Sequence, residues 1–112
     1  AVRDKADILS QVRAALFECL PEGQVSAQRI AEQLHMTDRT LRRRLDELGM
    51  SFRQLLNDVR RDLALRYIDD ESLSLTEISY LLGFSEPSSF TRAFRGWTGG
   101  TPSAARRGGA RA

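Results

Sequence analysis

EISYLLGFSEPSSFTRAFR, residues 77–95, holds two short helical patterns on either side of a Gly83-Phe84-Ser85 break. Ile78, Leu81 and Leu82 form the apolar stripe of the first, and Phe90 and Phe94, continued by Trp97, form that of the second. Isolated helices shorter than about 12–15 residues are marginal in water, so neither stripe is stable by itself and each needs the other to pack on. The boundaries are marked by local chemistry. Ser74-Leu75-Thr76-Glu77 is a capping box that opens the first helix. Gly83 suits the left-handed residue that closes it. Ser85 is the expected cap of the second helix, with Pro87 tolerated in its first turn.

Working outward, the same unit occurs a second time. Ile30-Ala31-Glu32-Gln33-Leu34-His35-Met36-Thr37-Asp38 lies over Ile78-Ser79-Tyr80-Leu81-Leu82-Gly83-Phe84-Ser85-Glu86, pairing Ile with Ile, Leu with Leu, a Thr cap with a Ser cap and Asp with Glu. After one extra residue in the second copy, Leu41-Arg42-Arg43-Arg44-Leu45 lies over Phe90-Thr91-Arg92-Ala93-Phe94, and Leu48 over Trp97. A helix, a turn of three to four residues and a second helix make a helix-turn-helix unit. The first copy is preceded by a helical face of Ile8, Val12, Ala15, Leu16 and Cys19, ended by Pro21-Glu22-Gly23. Between the copies, an amphipathic segment from Ser51 carries Phe52, Leu55, Leu56, Val59, Leu63, Tyr67 and Ile68 as far as Asp69-Asp70-Glu71. At about 20 residues it is expected to be roughly 30 Å long. Thr101-Pro102 suggests a last short turn before Arg106-Arg107-Gly108-Gly109, which is expected to fray. No strand pattern is present. The expected fold is all-α, with about seven helices: a first helix-turn-helix subdomain over 1–50, a linker helix over 51–71 and a second subdomain over 72–112.

In such a unit the second helix offers its solvent face to the DNA major groove. With Leu41, Leu45 and Leu48 inward, Thr37, Asp38, Arg39, Arg42 and Arg43 fall on or near the outward side, and Arg44 nearer the inward one. With Phe90, Phe94 and Trp97 inward, the outward candidates are Ser88, Ser89, Thr91, Arg92 and Arg95. Arginine suits bidentate contact with guanine O6 and N7, and serine and threonine suit phosphate or base edges. The acids are expected mainly outside these faces. An arginine run taken alone is more often a solvated face. An arginine at the matching place in both copies is much harder to attribute to solubility.

Composition bounds the other classes. The chain has 112 residues, 41% of them hydrophobic, with a formal net charge of +2, enough for one compact core or two small ones. No apolar run approaches the roughly 18 residues of a membrane span, and the N-terminus lacks a secretory apolar core. A cytoplasmic protein with no membrane partner is expected. Ala1 stands where an initiator methionine would, so a processed or excised C-terminal portion of something longer is also expected. Cys19 is the only cysteine and reads as a buried small hydrophobe, and the only histidine, His35, reads as a helix-end residue. No metal or other cofactor is expected, since neither has a partner at ligand spacing. No G-x-x-x-x-G-K-[ST], H-E-x-x-H or G-x-S-x-G stretch is present, so no catalytic residues are nominated. A protein-interaction module is the alternative, and it would call for apolar anchors on the outward faces.

The pattern Arg60-xxx-Ala64-xx-Tyr67-Ile68, Leu75-Thr76-Glu77-Ile78-xxx-Leu82-Gly83-Phe84-Ser85, Ser89-Phe90-x-Arg92-Ala93-Phe94-Arg95 and Gly99-x-Thr101-Pro102-xxx-Arg106 resembles the signature of AraC/XylS-type transcription regulators. With the first repeat and the linker, the resemblance covers roughly residues 5 to 107. It implies a seven-helix DNA-binding domain whose two recognition helices enter the major groove. It places base-reading positions on Arg39, Arg42 and Arg43 and on Pro87, Ser88, Ser89, Thr91 and Arg92. Two positions depart from the pattern: Pro87 offers no polar side chain, and Ala105 stands where many relatives have an aromatic, so looser packing of the final turn is expected. The implied partners are double-stranded DNA, RNA polymerase and a separate effector or dimerisation domain, commonly N-terminal. Asp69, Asp70 and Glu71 are a loose guess for a surface that touches RNA polymerase or a sensor domain. An effector is not expected to bind here, because the helices are read as given over to two small cores. A nucleoid-associated bacterial activator is the corresponding cellular expectation.

Overall fold

The computed structural model describes residues 2–23 and 25–108. Among the described residues the chain forms seven α-helices and no strand: α1 Val2–Cys19, α2 Ala27–Gln33, α3 Asp38–Glu47, α4 Phe52–Tyr67, α5 Leu75–Leu81, α6 Pro87–Thr98 and α7 Pro102–Gly108. A 3₁₀ turn, Leu20–Glu22, follows α1 and ends on Gly23 at φ 77°. The polar residues between the apolar stripes set the helix starts. Ser26 Oγ accepts from Arg29 N at 3.1 Å, and Thr37 Oγ1 from Thr40 N at 3.1 Å. Ser51 with Gln54 and Ser74 with Glu77 close reciprocal capping boxes, the second at 2.8 and 3.0 Å. Each satisfies backbone donors that a helix start otherwise leaves open, worth about 1 kcal/mol apiece.

The repeat is reproduced bond by bond at the two turns. His35 N donates to Glu32 O and Met36 N to Ala31 O at 3.1 and 2.9 Å; Gly83 N donates to Tyr80 O and Phe84 N to Ser79 O at 3.0 and 3.1 Å. This is the paired bonding of a helix closed by a left-handed residue, and the residues in that conformation are His35 at φ 60° and Gly83 at φ 85°. Only the second position demands glycine sterically. A Cβ on Gly83 would lie 2.9 Å from Leu20 O, whereas His35 is exposed.

That close approach explains why the core is continuous. Two small cores were expected; instead one cluster runs from Ile8, Val12 and Leu16 in α1 through Leu41 and Leu45 in α3 and Leu55, Val59 and Leu63 in α4 to Ile78, Phe90 and Phe94. Leu20, fully buried in the 3₁₀ turn, presses against Gly83, and α4 packs on both units, so no solvent layer divides them. Leu81 is only half-buried, and Ser79 is buried in its place.

Other boundaries also differ from expectation. The linker helix α4 has 16 residues, ending at Tyr67, and so is about 24 Å long. Its last carbonyls are taken by a side chain: Arg106 Nε donates to Ile68 O at 3.0 Å, and its terminal nitrogens donate to Leu73 O at 2.8 Å, Asp70 O at 3.2 Å and Tyr67 O at 3.4 Å. Arg106 is therefore an anchor for α7 and does not fray; Ala1 and Gly109 onward lie outside the described residues. The cap of α6 is Glu86, with an extended backbone and no side-chain bond, and Ser85 lies one residue outside. The residue before a proline is driven out of the helical region, and Pro87 at the first helical position has no N–H to satisfy. An open groove of about 320 Å³ beside Ala105, bordered by Leu65, Phe94, Thr98 and Ala104, lies along α7.

Candidate nucleic-acid interface

On α3, Leu41 and Leu45 are buried, which sends Arg39 and Arg43, four residues apart, to the opposite face as exposed side chains. Asp46 continues that stripe one turn on and is also exposed, an acid in line with the arginines on a face outside which the acids were expected mainly to lie. Thr37 is the exposed cap. Arg42 stands on the flank and is held by Asp38 one turn earlier, Nε to Oδ1 at 2.9 Å, with both side chains well exposed at 60% and 43%. Arg44, expected nearer the inward side, is exposed.

On α6, Phe90 and Phe94 are buried, and Ser88, Arg92 and Arg95 make the exposed stripe. Ser89 and Thr91 sit half-buried on opposite flanks. Pro87 is exposed at the first helical position and, with Thr91, borders a groove of about 290 Å³ floored by Leu75 and Phe90 and closed by the start of α7. Laid on each other, the two helices place Arg43 with Arg92, Arg39 with Ser88 and Asp46 with Arg95. Among the described residues, Arg39, Arg43, Arg92 and Arg95 make no ion pair or side-chain hydrogen bond, so their donors face solvent unspent.

Two further arginines serve a different end. Arg60 in α4 donates from Nε to Leu82 O at 2.8 Å and from a terminal nitrogen to Gly83 O at 3.4 Å, and its guanidinium lies 4.4 Å from the centre of the Phe84 ring. Burial lowers its pKa from the ordinary arginine value. It fastens the linker to the turn that aims α6, as Arg106 fastens α7. Sequence reasoning places both residues in a pattern and gives them no role; only their contacts separate them from the surface arginines. Phe84 and Trp97 pack with Phe90 and Phe94 as a cluster of tilted and edge-on rings, centroids 5.9–6.5 Å apart, so α6 is braced from below. Cys19 is buried and donates to Gln33 Oε1 at 3.4 Å, consistent with its reading as a core residue. Among the described residues no cluster of His, Cys, Asp or Glu is placed to hold a metal, and no helix is long and apolar enough to cross a membrane.

The helix-turn-helix domain family pattern matches residues 30–108, both units and the helix between them. The chain belongs to the AraC-type helix-turn-helix family. This AraC-type domain is 45% identical over 96 residues to the ornithine utilization regulator of Pseudomonas aeruginosa, covering 86% of this chain and 28% of that protein. It is 42% identical over 74 residues to the urease operon transcriptional activator of Escherichia coli, covering 66% of this chain and 25% of that one. The chain thus spans about a quarter of the length of these relatives. The crystal structure of the DNA-binding domain of AdpA, a global transcriptional factor in complex with a target DNA, superposes with a TM-score of 0.75 at 31% identity, covering 89% of this chain and 90% of that one.

Proposed function

We propose that this chain is the sequence-specific, double-stranded DNA-binding part of a bacterial transcription regulator, with α3 and α6 set into successive major-groove segments. The observation that carries this reading is the pair of exposed, unpartnered arginines, Arg43 and Arg92, at the same place in two copies of one unit. Residues 1–50 and 72–112 act as the two reading halves and 51–71 as the spacer. Base edges are read by Arg39, Arg42, Arg43, Ser88 and Arg92. Thr37, Ser89, Thr91 and Arg95 serve phosphate, Asp38 supports Arg42, and Pro87 makes a shape or methyl contact. The linker, at about 24 Å, is shorter than one DNA turn of about 34 Å, while the molecule is 45 Å along its longest axis; the spacing therefore depends on the whole packed body and not on α4 alone.

The name of the urease operon activator supports an activating role, and the relatives' greater length supports a further effector or dimerisation domain in the whole protein. RNA polymerase is the expected partner in activation, and the bacterial cytoplasm and nucleoid the place of action. The protein-interaction alternative needs apolar anchors on α3 and α6, but among the described residues the large exposed apolar side chains, Phe17 and Tyr80, lie on α1 and α5. Gel-shift titration over a salt series tests the proposal. Affinity for a selected duplex falls steeply as salt rises, and Arg43→Ala and Arg92→Ala each weaken it; absence of binding even at low salt defeats the reading.

A further inference from the structure

We propose that Asp38 and Arg42 form a preassembled unit that reads one G·C base pair, in which Asp38 positions the Arg42 fork and accepts a hydrogen bond from cytosine. The proposal rests on the DNA-binding reading above. The bond between them uses one nitrogen, Arg42 Nε, and one oxygen, Asp38 Oδ1, at 2.9 Å. Among the described residues no bond to the two terminal guanidinium nitrogens or to Oδ2 is present. What remains unbonded among the described residues, on two side chains well open to solvent, is a pair of donor nitrogens beside one acceptor oxygen. In the major groove guanine offers two acceptors, O6 and N7, and cytosine one donor, N4. The unit and the base pair are therefore complementary in number and in sense. An A·T pair places a donor, adenine N6, where the fork needs an acceptor, and thymine gives Oδ2 nothing to accept.

Position and charge favour this role. Asp38 is the first residue of α3, and the N-terminal residues of a recognition helix are those that reach base edges. The free oxygen of a carboxylate is repelled by phosphate, so Asp38 weakens docking on the backbone out of register and makes the arginine beside it selective as well as attractive. The second unit lacks the device: counted from the first helical residue, Pro87 and Thr91 stand where Asp38 and Arg42 stand, and Glu86, which lies over Asp38 in the sequence repeat, is outside the helix as its cap and makes no side-chain capping bond. Among the described residues no acid holds Arg39 or Arg43 on the neighbouring stripe.

The test begins with selection of duplexes from a random pool by the unaltered chain, followed by relative affinities on duplexes altered at every base pair in turn. The same profile is taken for Asp38→Asn and Arg42→Ala, with thermal unfolding recorded for each. Asp38→Asn is expected to reduce discrimination at a single G·C position by about tenfold while the rest of the profile stands. Arg42→Ala is expected to erase discrimination at that same position, and the double variant to add nothing there. An unchanged profile for Asp38→Asn, or a uniform shift on all duplexes, overturns the proposal and leaves Asp38 a helix-start acid. Failure of the unaltered chain to select any duplex overturns the DNA-binding reading and this inference with it, and so is told apart from failure of the inference alone.

Discussion

His35 and Gly83 close α2 and α5 with the same backbone bonds and nearly the same left-handed φ, yet one is a histidine in open solvent and the other a glycine pressed on Leu20 O. The duplicated sequence specifies the turn; the neighbour specifies which residue can occupy it. The same division holds at the recognition helices. The first begins on an aspartate already bonded to Arg42 and carries Asp46 in its arginine stripe, whereas the second begins on proline, has no acid within it, and is braced by an aromatic cluster and by Arg60. The first unit differs from the second in the charges on its surface, the second from the first in what packs beneath it.

The largest effect that would break this comparison is steric. Gly83→Ala forces a Cβ against Leu20 O in a conformation that L residues avoid, and about 2–4 kcal/mol of stability should be lost; His35→Gly should stay within about 1 kcal/mol. Urea unfolding midpoints of the two variants make the check, and equal losses would mean the turns are held alike. Next comes Arg106→Ala, which leaves the carbonyls at the end of α4 without their charged donor, at a cost of about 2–3 kcal/mol. By contrast, Arg43→Ala and Arg92→Ala should leave stability within about 0.5 kcal/mol of the parent while costing about 1–3 kcal/mol of affinity for a selected duplex. Thermal melts alongside binding curves would separate the anchoring arginines from the reading ones.

A smaller effect has the opposite sign. Ser79 Oγ is fully buried and, among the described residues, has no hydrogen-bond partner, and the first unit has Ala31 at the matching place. Ser79→Ala should therefore stabilise the fold by about 1 kcal/mol, and a loss on calorimetry would show that the hydroxyl is satisfied. The smallest effect is with pH. Backbone and side-chain hydrogen bonds with Ser74 hold the Glu77 carboxyl below its ordinary value. Its contribution is complete above the ordinary glutamate pKa of about 4.3 and is lost as pH falls through the lower folded value. Glu77→Gln should flatten that part of the acid limb of the stability curve.

Much of this is legible in the sequence because it is local. Apolar spacing gives the inward faces of α3 and α6, Ser26, Thr37 and the Ser74–Glu77 box mark helix starts, and the alignment of His35 with Gly83 locates both turns. What escapes depends on partners far along the chain. Arg60 meets carbonyls 22 and 23 residues away, and Arg106 meets carbonyls 33–39 residues away, so nothing nearby distinguishes them from Arg43 or Arg92. The early end of α4 and the single core follow from those long contacts and from Leu20 against Gly83. The cap of α6 falls one residue beyond Ser85 because Pro87 is not merely tolerated in the first turn but dictates where the helix begins. Of the candidate site, the exposed stripes are readable from period alone; the Asp38–Arg42 bond needs coordinates, although its four-residue spacing permits it.

On this account a single packed body, with one core shared by both units, presents two recognition helices to one DNA. Selection of bound duplexes from a random library by the whole chain, with footprints of the enriched sequences, addresses it most directly. Two short motifs about one helical turn apart, the one nearer α3 lost with Arg43→Ala and the other with Arg92→Ala, are the predicted result. A single motif untouched by Arg92→Ala, or a pool that stays random at low salt, would contradict it.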